Sequence, residues 1–421
     1  MLENYFVKPL TIDRIRASWI GPQIECYVTW LAGEGYSAKC VHRRVPLLLA
    51  FGEFAARHGA RTVADLPGHV EAFVARRARD SRDARRQRGR WFINDIRGPV
   101  EQLLTLILPG FAGTGRPHRP APFATQAPGF FEYLASERGL RPASLESYRH
   151  YLGRFEAYLE RVGVTGLEEL SPALLSSFTA ERSAKGLAMT SVRGGCGVLR
   201  VFLRYAYREG IIGTDLHEAV EWPQAYRLSA VPRCISWEQV GKVLAAVDRR
   251  TACGKRDYAI LLLLATYGLR AREIVAMTLD DIDWKHGRLA IPERKAGHST
   301  AFPLSGAAGD ALADYLRNGR PQSADRHVFF RSVAPLRPIR NAAVSACAQR
   351  ALLRAGIEVP RPGSHTLRHS AVQRLVDDGF ALKTIGDFVG HRSPASTEIY
   401  AKVAVEPLRK VALGDGEEAL Q

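Results

Sequence analysis

Four short stretches toward the C-terminus concentrate cationic side chains and lead to one tyrosine. They are TYGLRAREI (266–274), ERKAG (293–297), HTLRH (365–369) and VGH (389–391), and the tyrosine is Tyr400. Guanidinium groups bind phosphate oxygens through forked hydrogen bonds, and a phenol can attack phosphorus to form a covalent intermediate. Attack on a phosphodiester builds negative charge on its oxygens, so catalysis is chiefly positioning and electrostatics. These residue types suit chemistry on a phosphate ester.

Helical spacing and glycines predict how two of these stretches are held. His365 and Arg368 lie three residues apart at a predicted helix start, so both can project from one face. Gly379 ends that helix, and the amphipathic helix that follows stops at Gly390. The pattern therefore places His391 just beyond a helix end.

A last short helix is predicted to carry the tyrosine. Ser393 and Pro394 are typical of a helix start, and Thr397 and Tyr400 then share one face. A single tyrosine on an amphipathic helix is usually a core or boundary residue. Tyr400 therefore gains its interest from the cationic stretches that precede it.

The order of these residues resembles the tyrosine recombinase, or phage integrase, family. Arg, Lys, His-x-x-Arg and Gly-His follow one another, and a Tyr stands nine residues after the last histidine. The resemblance covers residues 234–421, and residues 130–221 resemble that family's helical core-binding domain. The sequence departs from the family at Val389, where Leu is common, and at a turn reading RKAG, where the Lys is usually flanked by glycine. The resemblance implies six active-site residues: Arg270, Lys295, His365, Arg368, His391 and Tyr400.

The resemblance also implies a role for each group. The two arginines would hold the phosphate because they stay charged at any working pH. The two histidines can donate hydrogen bonds, and His365 can also accept the tyrosine proton. Lys295 would be the general acid for the departing 5′ oxygen. A free phenol has a pKa of about 10, and the surrounding cations are expected to favour the phenolate of Tyr400. A phosphotyrosine keeps the bond energy, so no cofactor, ATP or metal is expected.

Alternatives remain for several neighbouring residues. Arg272 rather than Arg270 could be the phosphate ligand, and Glu273 is expected to orient an arginine rather than to act as a base. Three aspartates could hold the metals of a two-metal nuclease. Their position before a hairpin favours a polar turn instead. These aspartates are Asp280, Asp281 and Asp283.

The remaining pattern predicts a mainly α fold, with helical N-terminal modules and a mixed α+β catalytic domain that contains a small antiparallel sheet. Ser236 and Gln239 form a predicted capping box at a helix start. A nearly all-apolar helix is predicted over 255–267, and it should be buried. Short strands are predicted over 288–292 and 300–304.

Two stretches rich in proline or glycine are predicted linkers. Residues 113–129 should be extended and exposed, and 222–233 form a second break. We therefore expect a helical DNA-binding or interaction module at 1–112, a core-binding domain at 130–221 and a catalytic domain at 234–421.

The first two segments resemble each other. WLAGE at 30–34 matches YLASE at 133–137, and apolar residues recur at helical spacing in both. The alternative is that any two amphipathic helices followed by a glycine turn would align. Five residues precede their counterparts by 104 positions: Phe51, Phe54, Arg57, Gly59 and Leu66 precede Phe155, Tyr158, Arg161, Gly163 and Leu170.

An arginine-dense run lies in the first segment. It is either a solvated helix face or a surface that follows DNA phosphates, and the small number of acidic residues nearby favours the second. The DNA-binding candidates are Arg85, Arg86, Arg88 and Arg90.

Composition favours a folded protein with a polyanionic partner. The chain has 421 residues, a net charge of +16 and 46% hydrophobic residues, which is ample for two or three cores. The six cysteines have no CxxC spacing, so neither zinc ligation nor a disulfide framework is expected. The first residues do not resemble a secretion signal, and no apolar run is long enough for a membrane helix. We expect a cytoplasmic, nucleoid-associated protein without a membrane partner.

The resemblance, on a strongly basic chain, implies a site-specific DNA recombinase of the integrase or transposase type, acting through a 3′-phosphotyrosyl intermediate. The partners that the resemblance implies are double-stranded DNA, three further copies in a tetramer on paired sites, and other recombinases or DNA-bending proteins. Integration or transposition of a mobile element is preferred over dimer resolution. A type IB topoisomerase and a non-catalytic DNA-binding module are the alternatives.

Overall fold

The computed structural model describes residues 1–80, 90–114, 120–224, 234–292, 300–390 and 395–401. Most of the predicted linker 222–233 lies outside these ranges. The chain divides into two compact units, one comprising Met1–Thr114 and Ala230–Gln421 and the other Gly115–Ser229. The fold is mainly helical with one small antiparallel sheet, which confirms the predicted fold class.

The N-terminal part of the first unit is a helical module around its own core. Buried residues from every helix fill that core, among them Tyr27, Phe51 and Leu103. Its α-helices are α1 (Pro9–Ala17), α2 (Gly21–Gly33), α3 (Ala38–Arg57), α4 (Val70–Asp80) and α5 (Arg90–Ile107), with a 3-10 helix at Val63–His69.

The second unit is a four-helix module with an aromatic core. Phe130, Phe155 and Phe202 are fully buried in it. Its α-helices are α6 (Phe130–Ser136), α7 (Pro142–Val162), α8 (Pro172–Ala184) and α9 (Met189–Arg208), with a 3-10 helix at Leu167–Glu169.

The two modules share more than helix order. In the first, Phe73 lies between Phe51 and Phe54, with ring centroids 5.3 and 5.5 Å away. The second module repeats this cluster 104 or 105 positions later with Phe155, Tyr158 and Phe178, at 5.0 and 5.1 Å. The long helix before each 3-10 helix and the two helices after it also correspond.

One carboxylate in each module makes the same turn-closing hydrogen bonds. Asp65 accepts the backbone N–H groups of Arg61 and Thr62 at 3.0 and 2.8 Å. Glu169, 104 positions later, accepts those of the residues at 165 and 166, at 3.1 and 2.9 Å. This agreement in polar detail supports a shared fold, because amphipathic helices alone would not require it.

The expectation that 113–129 is exposed throughout is wrong for its second half. Phe123 is 2% exposed, stacks on Phe202 at 4.8 Å and donates its backbone N–H to Glu156 at 2.7 Å. Burial of a large aromatic ring outweighs the linker-like composition around it. Residues 115–119 lie outside the described ranges.

The C-terminal part of the first unit contains the remaining elements around one large core and one small apolar cluster. α11 is buried on nearly all sides, as predicted, and its neighbours pack around it. The helices are α10 (Trp237–Ala245), α11 (Ala252–Tyr267), α12 (Ala271–Ala276), α13 (Gly306–Asn318), α14 (Asn341–Arg354), α15 (Ser364–Asp377), α16 (Leu382–Val389) and α17 (Ala395–Ala401).

A three-stranded antiparallel sheet lies between α12 and α13. β2 (Arg288–Ile291) pairs with β3 (Thr300–Pro303), as predicted, and Leu289 lies opposite Phe302. A third strand, β1 (Ile282–Asp283), pairs with β2 on its other side and was not predicted. The hairpin turn at 293–299 lies outside the described residues.

A loop of the C-terminal part contacts the N-terminal module within the first unit. The guanidinium of Arg337 donates to both carboxylate oxygens of Glu34, at 3.2 and 3.3 Å. The backbone N–H of Leu336 donates to the Glu34 carbonyl at 3.3 Å, and Ala334 packs against the module's core. The side chain of Leu336 lies so close to Gly35 that a Cβ there would be 2.6 Å from it.

Within the described ranges, we find no helix that has both the length and the apolar character needed to cross a bilayer.

Because Asp65 and Glu169 make the same hydrogen bonds, we expect the stability of the two modules to depend on pH in the same way. The backbone N–H groups of the turn lower the pKa of Asp65 and of Glu169. Each therefore stabilises the fold above its unfolded pKa, near 4, and the contribution is lost as pH falls through the folded pKa. We expect D65N and E169Q each to lower the urea midpoint at pH 7, and the differences from wild type to shrink toward pH 3.

The exposed Glu146, changed to Gln, is the control and should leave the midpoint unchanged. A D65N effect of equal size at pH 7 and pH 3 would contradict the assigned role.

Candidate active site

Arg368 is buried at the start of α15 and bonded to two other chain segments. It is 4% exposed. Its Nη2 donates to the carbonyl of Val389 at 2.8 Å, and its Nη1 donates to the carbonyl of Gly268. A buried guanidinium needs such partners, because an unsatisfied charge in the interior is strongly unfavourable. These bonds join α15 to the ends of α11 and α16.

Arg270, at the start of α12, contacts the turn at Val389 and Gly390 that ends α16. Its Nη2 donates to the carbonyl of Gly390 at 2.6 Å. Its Nη1 and backbone N–H donate to the carboxylate of Glu273 at 2.8 and 2.9 Å, and the Glu273 side chain is 2% exposed. Glu273 therefore orients an arginine, as expected from the sequence. The two predicted phosphate ligands thus bind adjacent carbonyls of one turn.

Tyr400 lies on α17 with its ring in a small apolar cluster. The residue is 1% exposed and packs with Val372, Val376, Ile385 and Val389. Its hydroxyl is hydrogen-bonded to Nδ1 of a histidine that follows directly after Arg368. Burial raises the pKa of Tyr400, and the positive charge of Arg368 opposes that rise only in part. The expected phenolate is therefore not favoured in this state, because desolvation outweighs the charge of Arg368.

His365 faces this group from the first turn of α15. The residue is exposed, yet partial burial of its ring lowers its pKa, and the charges of Arg368 and Arg270 lower it further. All three causes disfavour a second positive charge at this position. A neutral imidazole at pH 7 follows from this, and it can accept a hydrogen bond or a proton.

The histidine that meets the tyrosine was missed by sequence reasoning. It is His369, whose ring centroid lies 5.6 Å from that of Tyr400 and 6.1 Å from that of His365. Its position inside HTLRH was visible, but nothing local shows that it meets a residue 31 positions away. Only the packing of α17 on α15 brings the two together.

Several candidates fall outside what the structure describes. Lys295 and His391 lie in the undescribed stretches 293–299 and 391–394. Arg90 begins α5, but its side chain is not described. The other arginine candidates, Arg85, Arg86 and Arg88, lie in the undescribed stretch 81–89.

Arg272 and the three aspartates, which the sequence offered as alternatives, make different contacts. Arg270 contacts the Gly390 turn, whereas the buried Nη2 of Arg272 has no hydrogen-bond partner in the described part of the chain. Each aspartate of the proposed metal cluster binds its own local partner. Asp280 pairs with Arg326, Asp281 closes a turn at Thr278, and Asp283 binds His286. These are the contacts of a polar turn.

The geometry suits attack on a bound phosphate. The phenol hydroxyl of Tyr400 has an imidazole partner and is influenced by the charge of Arg368, and Arg270 and Arg368 donate to adjacent carbonyls of one turn. Each guanidinium presents a planar fork of N–H donors, which matches the oxygens of a phosphate. An anionic ester held by these donors would neutralise their charge.

Two family models match the chain. The model described as phage integrase family matches residues 233–406, and the model described as phage integrase, N-terminal SAM-like domain matches residues 128–210.

Relatives match over most of their length. The chain is 35% identical to the putative integrase/recombinase y4rA of Sinorhizobium fredii, over 70% of this chain and 72% of that protein. It is 27% identical to y4rF of the same organism, over 98% of this chain and 95% of that protein. It is 30% identical to the tyrosine recombinase XerD of Mycobacterium tuberculosis, over 69% and 97% respectively.

A solved structure has a similar fold. The lambda integrase tetramer bound to a Holliday junction matches with a TM-score of 0.54 at 18% identity, over 75% of this chain and 87% of that one.

The buried carboxylate of Glu273 predicts a stability effect. The variant E273A leaves the half-buried Arg270 without its ion-pair partner, and we expect the free energy of unfolding to fall by up to about 3 kcal/mol. Urea unfolding measures this. D280A breaks the exposed Asp280–Arg326 pair and is the control, with little expected change. Equal midpoints for E273A and wild type would contradict the role of Glu273.

The position of His365 predicts its titration. In the DNA-free protein its pKa should lie below 6.5, because burial and two arginines disfavour its charged form. R270A removes one positive charge, so the pKa should rise while staying below 6.5. NMR of histidine-labelled protein measures both values, and H365Q assigns the resonance. A pKa unchanged by R270A would show that Arg270 does not act on His365.

Proposed function

The chain belongs to the phage integrase family of tyrosine recombinases, and we propose that Tyr400 is the nucleophile with which it cuts and rejoins DNA. It is a site-specific recombinase. One observation carries the assignment of Tyr400: within one chain its hydroxyl is hydrogen-bonded to His369, the residue directly after Arg368, and the charge of Arg368 favours its phenolate. The nucleophile and a phosphate ligand are thus provided by the same protomer.

The proposed reaction follows from this arrangement. The guanidinium groups of Arg270 and Arg368 hold the non-bridging oxygens of the scissile phosphate and stabilise the charge that builds up during attack. The Tyr400 oxygen bonds to phosphorus, and the bond to the 5′ oxygen breaks. We assign protonation of that 5′ oxygen to Lys295 and further phosphate binding to His391. A free 5′ hydroxyl from another strand reverses the step, so no external energy source is needed.

The neutral, buried state of Tyr400 has a protective effect in this scheme. A phenol with a raised pKa is a weak nucleophile, and apolar neighbours surround its ring. An incoming phosphate would bring negative charge to the two arginines. Because cleavage then depends on a bound phosphate, the enzyme is expected to react slowly with other electrophiles.

The proposed assembly is a tetramer on two paired sites that exchanges strands in pairs through a four-way junction. The relative solved as a tetramer on a Holliday junction supports this scheme. Relatives named integrase/recombinase support integration or transposition of a mobile element as the biological role. Such a protein would act on the chromosome in the cytoplasm, with or without DNA-bending partners.

We assign the N-terminal module a second DNA contact. Its aromatic cluster and its turn-closing carboxylate match those of the module covered by the SAM-like family model. A relative that matches 98% of this chain has a counterpart of this region as well. We therefore propose three domains: the N-terminal module at 1–112, a core-binding domain at 130–221 and a catalytic domain at 234–421.

The assignment of Tyr400 predicts a covalent adduct. Incubated with duplexes nicked beside the scissile phosphate, the wild type should accumulate a protein–DNA adduct, because the short 5′ fragment diffuses away. Y400F should form none and should bind the same DNA equally well. The DNA ends of the mobile element are the first duplexes to test. Gel shift under denaturing conditions measures the adduct.

Y315F is the matched control, because Tyr315 is another buried tyrosine in the same unit. An adduct formed by Y400F would exclude Tyr400 as nucleophile. Relaxation of supercoiled DNA without any site requirement would favour a topoisomerase instead.

A further inference from the structure

The hydroxyl of Tyr400 has a basic nitrogen as its partner, and that nitrogen belongs to His369. The hydrogen bond joins Tyr400 Oη to His369 Nδ1, and the two rings are in contact at 5.6 Å between centroids. His369 is half-buried on α15, whereas Tyr400 on α17 is 1% exposed. This contact links the nucleophile to the helix that also carries Arg368.

The direction of this hydrogen bond follows from the chemistry of the two groups. A neutral phenol donates its O–H, so an unprotonated Nδ1 accepts, and the ring proton of a neutral imidazole is then on Nε2. A protonated imidazole could only donate through Nδ1 and would compete with the phenol proton. The arrangement therefore favours neutral His369 and neutral Tyr400.

Attack on phosphorus requires a destination for the phenol proton. The bond from Oη to phosphorus forms while the O–H bond breaks, and a neutral tyrosine cannot complete this step without a base. His365 faces the arginines, and the nitrogen that can accept the hydrogen bond of the Tyr400 hydroxyl in the structure belongs to His369 instead.

Resting on the proposed function, we propose that His369 is the general base that accepts the proton of Tyr400 during strand cleavage. The Oη–H proton moves to Nδ1 as Oη bonds to phosphorus and the P–O5′ bond breaks. The 5′ oxygen takes its own proton from the general acid assigned above. In religation the imidazolium returns its proton to the departing phenolate, so the residue ends each cycle neutral.

The charges around this pair are consistent with the direction of transfer. Arg368 acts on Tyr400 and favours the phenolate, while the thiol of Cys234, if ionised, would oppose it. His365 lies near His369 on the same helix. An imidazolium at His369 would be unfavourable next to the Arg368 guanidinium until a phosphate neutralises that charge. Proton transfer is therefore coupled to bound DNA.

The test isolates tyrosine attack from departure of the 5′ oxygen. A nicked duplex with a bridging 5′ sulfur at the scissile position releases a thiolate, which leaves without protonation. Single-turnover adduct formation by the full-length protein on this substrate then reports activation of Tyr400. Rates are measured from pH 5 to 9 for wild type, H369A and H369N.

Asparagine separates the two roles of His369. In H369N the amide oxygen can still accept the hydrogen bond of Tyr400, but it does not take up a proton. We expect both H369A and H369N to react at least about 100-fold more slowly at pH 7.5. The wild-type rate should fall toward acid pH as His369 is protonated, and both variants should lose this dependence. DNA affinity and thermal midpoint of H369N should stay near those of wild type.

The control is H286A, which removes an exposed histidine that binds Asp283 before β2. It should react at the wild-type rate. H369N with the wild-type rate and pH profile would overturn the inference while leaving Tyr400 as nucleophile. A wild type that forms no adduct on any nicked duplex would overturn the proposed function and the inference together.

Discussion

The bonds from two guanidiniums to backbone carbonyls hold the site together. Arg368 binds the carbonyls at the ends of α11 and α16, and Arg270 binds the next carbonyl after the second of these. Charged donors to carbonyl oxygens are among the stronger hydrogen bonds in a protein interior. Four helices, α11, α12, α15 and α16, are therefore held together by two side chains. The same side chains are those that a phosphate would engage.

This constraint explains the glycines that border the site. Gly268 and Gly390 end α11 and α16 with positive φ angles of 58° and 65°. A Cβ on Gly268 would lie 3.2 Å from a methyl carbon of Val389, which is tighter than ordinary packing. A side chain there would separate the helix ends whose carbonyls Arg368 joins. Backbone conformation and close approach both require glycine at this position.

Local signals predicted much of the fold. The capping box at Ser236 and the buried helix α11 depend on residues close together in the sequence, and both are present in the structure. Burial of Phe123 depends on Phe202 and Glu156, which lie far along the chain, so the local pattern could not show it. The third strand has only two residues, too few for an alternating pattern to indicate it. At Phe123 the composition predicted an exposed linker, and this prediction is wrong.

The site was predicted in part for the same reason. The order of its motifs indicated Arg270, Arg368 and Tyr400, and the structure brings these three to one region. That His369 is the partner of Tyr400 depends on tertiary packing. So does the pKa of Tyr400, on which burial acts more strongly than the nearby charge. Neither property is encoded in the spacing of residues along one helix.

The contact between Glu34 and Arg337 has a consequence for truncated forms of the protein. The loop that contains Arg337 leads into α14, which packs against both α12 and α15. Arg270 directly precedes α12, and Arg368 lies in α15. Deleting the N-terminal module would uncover Leu336 and Ala334 and leave Arg337 without Glu34. A shortened chain would thus carry a newly exposed apolar loop, which promotes self-association. One helix, α14, separates this loop from the active site.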